Sequence, residues 1–126
     1  MIGYVTLGTN DIARAKAFYD ALLTTVGAKR LYSGERYAYW GRRPGVGMLA
    51  IVEPYDGQPA TVGNGLTVAL GVRDRDQVCK VHRCALSLGA TDEGTPGPRG
   101  EGFYGAYFRD LDGHKLCIFT YETEGS

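Results

Sequence analysis

The side chains able to do chemistry in this sequence are few and scattered. There are two histidines, His82 and His114, and three cysteines, Cys79, Cys84 and Cys117. Neither set has metal-site spacing, because Cys79 and Cys84 do not form a C-x-x-C pair. Cys117 as a nucleophile needs a thiolate, and no adjacent histidine or helix start is there to favour one, so it reads as a buried inert thiol. Tyr4 with Tyr107 could bind a carbonyl or donate a proton, but an ordinary tyrosine pKa near 10 reads first as an aromatic wall. Lys115 and Arg109 could meet an anion at a rim, and the plainer reading is a solvated edge.

One glycine-rich run, Gly94-Thr95-Pro96-Gly97-Pro98-Arg99-Gly100-Glu101-Gly102, invites a phosphate-loop reading. It fails on two counts. Its prolines lack the N–H donors a cradle needs, and it precedes a strand pattern rather than a helix. It reads instead as a mobile loop that could act as a lid carrying Arg99.

The elements that must position these groups come in two sets. Ile2–Gly8 alternates around Val5 and Leu7, as a half-buried strand does. Asn10 or Asp11 can cap a helix whose apolar stripe is Ile12, Ala15, Tyr19, Leu22 and Val26, and Gly27 stops it. Residues 28–32, 36–40 and 48–52 read as three short strands, punctuated by Ser33-Gly34 and Arg43-Pro44-Gly45. Residues 54–65, rich in glycine and proline, read as a linker. The order then repeats: a strand over 66–72, a helix capped by Asp74 with the stripe Val78, Val81, His82, Ala85 and Leu88, a stop at Gly89, and strands over 90–93, 103–109 and 115–121. Val5, Leu7, Gly8 and Asp11 recur sixty-three residues on as Val68, Leu70, Gly71 and Asp74. The expected fold is therefore α+β: one domain over 1–126, built from two pseudo-symmetric βαβββ modules, 1–53 and 66–121, whose curved mixed sheet wraps a concave cup.

His82 on its stripe reads as a packed helix histidine, and His114 in the Asp112-Gly113 hairpin as a turn residue. Strand alternation sends Val5, Leu7, Leu49, Ile51, Val68, Leu70, Ala106, Phe108, Leu116 and Ile118 towards the helices. The opposite face then carries Tyr4, Met48, Ala50, Thr67, Phe103, Tyr107 and Cys117, a mixture of aromatic and small residues that suits a small-molecule cup. Cover by a second chain, or a filled core, are the plainer explanations of the same face.

Two stretches, YVTLGTNDIARAKAFYDALLTTVGA and YFRDLDGHKLCIF, resemble the opening strand-helix and final hairpin of the glyoxalase, bleomycin-resistance and extradiol-dioxygenase (vicinal oxygen chelate) superfamily. The resemblance covers essentially the whole chain and implies the glyoxalase-like fold. In metal-dependent members, ligands come from the first strand of each half, commonly His, and from the last strands, commonly Glu. Carried over, those positions are Tyr4, Thr67, Cys117, and Met48 or Ala50. Each departs from the family's pattern, so the resemblance implies no metal and no cofactor here.

Two readings follow from the resemblance. One is a metal-independent binding protein, not an enzyme, holding a small aromatic or apolar molecule in a cup lined by Tyr4, Trp40, Met48, Thr67, Phe103, Tyr107 and Cys117. The other is a glyoxalase-like lyase or isomerase with an atypical active site; a dimer module without catalysis is a third. The resemblance also implies a homodimer. A net charge of zero, from 14 basic and 14 acidic residues, gives no reason to expect nucleic acid or an anionic membrane as partner. No apolar run approaches the ~20 residues needed to span a bilayer. Unpaired cysteines and no evident leader suggest a reducing, cytoplasmic setting.

Overall fold

A computed structural model describes residues 1–122. The chain divides into two units, Met1–Val62 and Gly63–Ser126. The first runs β1 (Tyr4–Gly8), α1 (Ile12–Thr24), β2 (Lys29–Ser33), β3 (Tyr37–Gly41) and β4 (Met48–Val52). The second repeats the plan with β5 (Val68–Gly71), α2 (Arg75–Ser87), β6 (Thr91–Pro98), β7 (Phe103–Arg109) and β8 (Lys115–Tyr121). Backbone hydrogen bonds make two four-stranded sheets, one per unit, ordered β1-β4-β3-β2 and β5-β8-β7-β6. In each, the first strand pairs parallel with the last and the others are antiparallel.

Each helix begins where a short carboxylate can accept an orphan N–H. Asp11, rather than Asn10, accepts from Arg14 N at 3.0 Å, and Asp74 accepts from Gln77 N at 2.9 Å. Each helix run-out ends on a glycine with positive φ, Gly27 at 78° and Gly89 at 103°, where an L side chain would be strained. The buried stripe of α1 is Ala15, Phe18, Tyr19, Leu22 and Leu23; that of α2 is Val78, Val81, His82 and Ala85. Val26 and Leu88 fall outside these stripes because both helices stop before them. Under the helices lie Leu7, Ala38, Trp40, Leu49 and Ile51 in one unit, and Ala106, Phe108, Leu116 and Ile118 in the other, all buried. Burial of one such side chain contributes roughly 1.5–3 kcal/mol.

Strand β6 differs from expectation. Residues 94–98, read as a mobile loop, extend the short strand over 90–93 into an eight-residue strand paired with β7. The register shifts between Asp92 and Gly94 and again between Gly94 and Gly97. Since β6 is the sheet edge, prolines at 96 and 98 can sit on it without breaking a central ladder. Arg99 starts the tight turn beyond it, with Arg99 N donating to Phe103 O at 2.7 Å. Part of the linker is anchored rather than free: Asn10 exchanges two hydrogen bonds with the Ala60 backbone, at 2.7 and 3.1 Å.

Candidate functional site

The register fixes which side chains share the faces turned away from the helices. In the first sheet Tyr39 lies opposite Ala50, which lies opposite Thr6. In the second, Tyr107 lies opposite Cys117, which lies opposite Ala69. Tyr39 and Tyr107 therefore occupy equivalent places at the centre of each open face. By the same register Trp40 is the counterpart of Phe108, Met48 of Lys115 and Ala50 of Cys117.

Around Tyr39 the first face is a cluster of tyrosines. Tyr4, Tyr37 and Tyr32 present edges to its ring, with centroids 5.3, 5.9 and 6.1 Å away. Such edge-to-face pairs add about 0.5–1.5 kcal/mol each beyond their buried area. Tyr4, Tyr32 and Tyr37 nevertheless stay 53%, 47% and 40% exposed. Desolvation, with the hydrogen-bonded Tyr4 hydroxyl and the nearby Tyr37, raises the Tyr39 pKa above the ordinary tyrosine value. Beside the cluster a cleft of about 320 Å³ is lined by Arg36, Tyr37, Tyr39, Val52, Glu53 and Tyr55. Arg36 is held there by Glu53 at 3.1 Å and by the Pro54 carbonyl at 2.8 Å.

Around Tyr107 the second face is cationic. The Arg99 guanidinium lies 5.7 Å from the ring centroid and the Lys115 ammonium 5.1 Å from it. Arg99 is steered there by its own turn, with Nη2 donating to Thr95 O at 2.6 Å. The strand leaves room: a Cβ on Gly97 would stand 2.9 Å from Arg99 Nη1. Next along the face, Phe103 and Phe119 stack at 5.1 Å with 9° between planes, and Tyr121 edges both. Phe103 lies over Gly105, where a Cβ would meet its ring at 2.7 Å. Cys117 is buried beneath Tyr107. Burial pushes its thiol pKa up, against the opposing pull of the Tyr107 hydrogen bond and the Arg99 and Lys115 charges. The Tyr107 pKa is also raised, by desolvation first and by Cys117 second.

Several expected site residues lie elsewhere. Trp40, expected in the cup, is under α1: its indole N–H donates to Asp20 Oδ1 at 2.9 Å and its ring packs on Tyr19 at 5.6 Å. The whole β3 segment Tyr37–Gly41 is apolar or aromatic, so alternation alone does not orient it; register with Leu49 does. Thr67 precedes β5 and is exposed, outside the parallel ladder. Arg109 is not an open rim cation, since Glu93 pairs with it at 2.8 Å and the Gly113 carbonyl accepts from it at 3.1 Å. Tyr4 and Met48 sit opposite each other on the first face, while Phe103, Tyr107 and Cys117 share the second. Each set stands on its own sheet. The Arg99–Lys115 pair over one tyrosine was not legible, because it depends on the two register shifts of β6.

The histidines are structural. Buried His82 meets Asp92 Oδ1 at 3.0 Å, and Asp92 is held below the usual carboxylate range by the Gly94 N–H and then by His82. His114 is buried in the last hairpin, where Asp110 Oδ1 accepts from His114 N at 2.9 Å and from Asp112 N at 3.0 Å. This carboxylate-closed turn is the physical content of the D-x-D-G-H motif.

The donors at the positions implied for a metal do not suit a divalent cation. Tyr4 is hydrogen-bonded to Tyr39, Ala50 has no donor and Met48 only a thioether, Thr67 is off the ladder, and Cys117 is a lone buried thiol whose pKa burial raises. Among the described residues no three His, Cys, Asp or Glu side chains converge as metal ligands would.

These two modules define a class of protein recognisable from fold alone, and comparison with known proteins makes it specific. The chain belongs to the Glyoxalase/Bleomycin resistance protein/Dioxygenase superfamily, whose sequence profile matches residues 1–118. It is 36% identical to a glyoxalase/bleomycin resistance protein from Albidiferax ferrireducens, over 97% of this chain and 99% of that one, with a TM-score of 0.89. A glyoxalase-related enzyme from Fulvimarina pelagi shares the fold at TM-score 0.77 and 20% identity, covering 95% of this chain and 87% of that one. So does a family enzyme from Burkholderia phytofirmans, at 0.78 and 18%, covering 95% and 98%. None of the curated proteins compared matches. Among the described residues no helix is long and apolar enough to cross a membrane.

Proposed function

We propose that this family member is a metal-independent binding protein that holds a small aromatic or apolar molecule against the open faces of its sheets. The observation that carries the proposal is the aromatic character of those faces. Tyr39 with its three tyrosine neighbours and the Phe103–Phe119 stack stand half-exposed where a merely solvated sheet would carry charge. Stacking and shape can retain an aromatic ligand without Lewis-acid help. A lyase or isomerase would need a proton-transfer group tuned near neutrality. Tyr39, Tyr107 and Cys117 are all shifted the other way. A homodimer accompanies this reading, as the family resemblance implies, and a cytoplasmic setting accompanies it on the unpaired cysteines.

Titration with a neutral aromatic such as indole, followed by backbone amide NMR, tests the proposal. Shifts should gather on β3, β4, β7 and β8, and Tyr39→Ala or Tyr107→Ala should weaken binding severalfold. Flat spectra throughout a panel of neutral aromatic compounds would rule the proposal out.

A further inference from the structure

The second face carries two positive charges without a carboxylate partner, whereas Arg36 beside the first face is paired with Glu53. We propose that Arg99 and Lys115 form an oxyanion-binding pair over Tyr107, so that the ligand of the second sheet is an aromatic molecule bearing a carboxylate or phosphate. This rests on the aromatic-binding reading above and narrows its ligand class.

Among the described residues, Arg30, Arg36, Arg73, Arg75 and Arg109 each pair with a carboxylate. Arg99 and Lys115 do not, a condition they share with other cations such as Lys16 and Arg42, which also bond backbone carbonyls; what sets this pair apart is that both lean on the same tyrosine ring. Each cation stands within 6 Å of the same ring centroid, so an oxyanion at the edge of that ring meets a positive field from both. The ring face satisfies the cations only in part, because it offers its quadrupole and no hydrogen-bond acceptor in the plane of the N–H groups. Lys115 keeps its ammonium donors available, and Arg99 keeps the N–H groups that Thr95 and Pro98 do not take.

The pair is positioned rather than merely present. Arg99 is aimed by its bond to Thr95, and glycines at 94 and 97 leave the strand surface low enough for the guanidinium to lie over it. Lys115 comes from β8, two residues before Cys117 on the same face. A Phe103–Phe119 stack on that face offers an apolar seat for the rest of an aromatic anion. At the equivalent place in the first sheet, Met48 replaces Lys115, and uncharged tyrosines surround the central ring.

The experiment compares benzoate, phenyl phosphate and the neutral isostere benzamide by amide NMR titration of the wild-type protein, Arg99→Gln and Lys115→Met. A well-placed charge-assisted hydrogen bond predicts that at least one of the anions binds about tenfold tighter than benzamide. Its shifts should centre on residues 99, 107 and 115. Each variant should remove most of that preference while leaving benzamide affinity within about twofold, and added salt should weaken only the anions. The proposal is overturned if benzamide binds as well as both anions, or if the variants keep the preference. In either case the aromatic-binding reading survives. If none of the three probes perturbs either sheet and indole does not either, that reading falls and the pair falls with it. Well-dispersed spectra of the variants show that a lost preference is not lost folding.

Discussion

The two modules share a backbone plan and a central tyrosine, and they diverge in what surrounds it. Tyr39 is ringed by Tyr4, Tyr32 and Tyr37; Tyr107 is flanked by Arg99 and Lys115 and sits on a buried thiol. The helix-facing sides diverge much less: Tyr19 packs on Trp40 in one unit and His82 on Phe108 in the other. Duplicated halves must keep the packing that folds them, while the face that carries no helix is free to be relined. Differences between the open faces are therefore where the proposed ligand preference is to be tested.

The largest expected effects fall where the modules agree. Trp40→Ala and Phe108→Ala should each destabilise by about 3–5 kcal/mol, as cavity-forming truncations of buried aromatics do, measured by urea unfolding. If one of them is nearly neutral, the claim that the two helix faces do the same job breaks. A milder exchange sharpens it. Trp40→Phe gives the first module the residue of the second and removes the indole bond to Asp20, which Arg30 still holds at an exposed salt bridge. The expected loss is about 1–2 kcal/mol, and a larger one would mean that indole volume matters more than the hydrogen bond.

The next effect separates the modules by pH. Because the folded Cys117 pKa is raised, the native state favours the protonated thiol. Above an ordinary thiol value of about 8.5 the unfolded chain ionises first, so stability is lost as pH rises. Hydrogen exchange of β7 and β8 should accelerate with pH in that range beyond the intrinsic rate increase, and β3 and β4 should not, since Ala50 stands where Cys117 does. Cys117→Ala should abolish the difference. In the same range the native thiol should alkylate more slowly than Cys84, which is less buried. The smallest effect is at the exposed first face: Tyr4→Phe deletes only a hydroxyl bonded to Tyr39, and should change stability by less than about 1 kcal/mol.

Much of the fold was legible because its signals are local. The helix stripes short of Val26 and Leu88, the Asp11 and Asp74 caps, the Gly27 and Gly89 stops and the Asp112-Gly113 hairpin appear where their spacing puts them. The duplication followed from matching elements. The faces were legible wherever strands alternate, as at Val5 and Leu7, and illegible where they do not, as at Tyr37–Gly41, which hid the true side of Trp40. Pro96 and Pro98 masked β6, since nothing in sequence marks that strand as an edge. The Arg99–Lys115 pair is a product of register across three strands, and no local pattern encodes register with two shifts in it.

The claim most open to direct test is that these faces bind without a metal. Indole binding followed by amide NMR can be repeated on protein kept in chelator and on protein supplied with zinc, nickel or manganese. Metal-independent binding gives the same affinity and the same shifted residues around Tyr39 and Tyr107 in every case. Binding that appears only when a metal is supplied, with metal-induced shifts centred on Tyr4, Thr67 or Cys117, would contradict it.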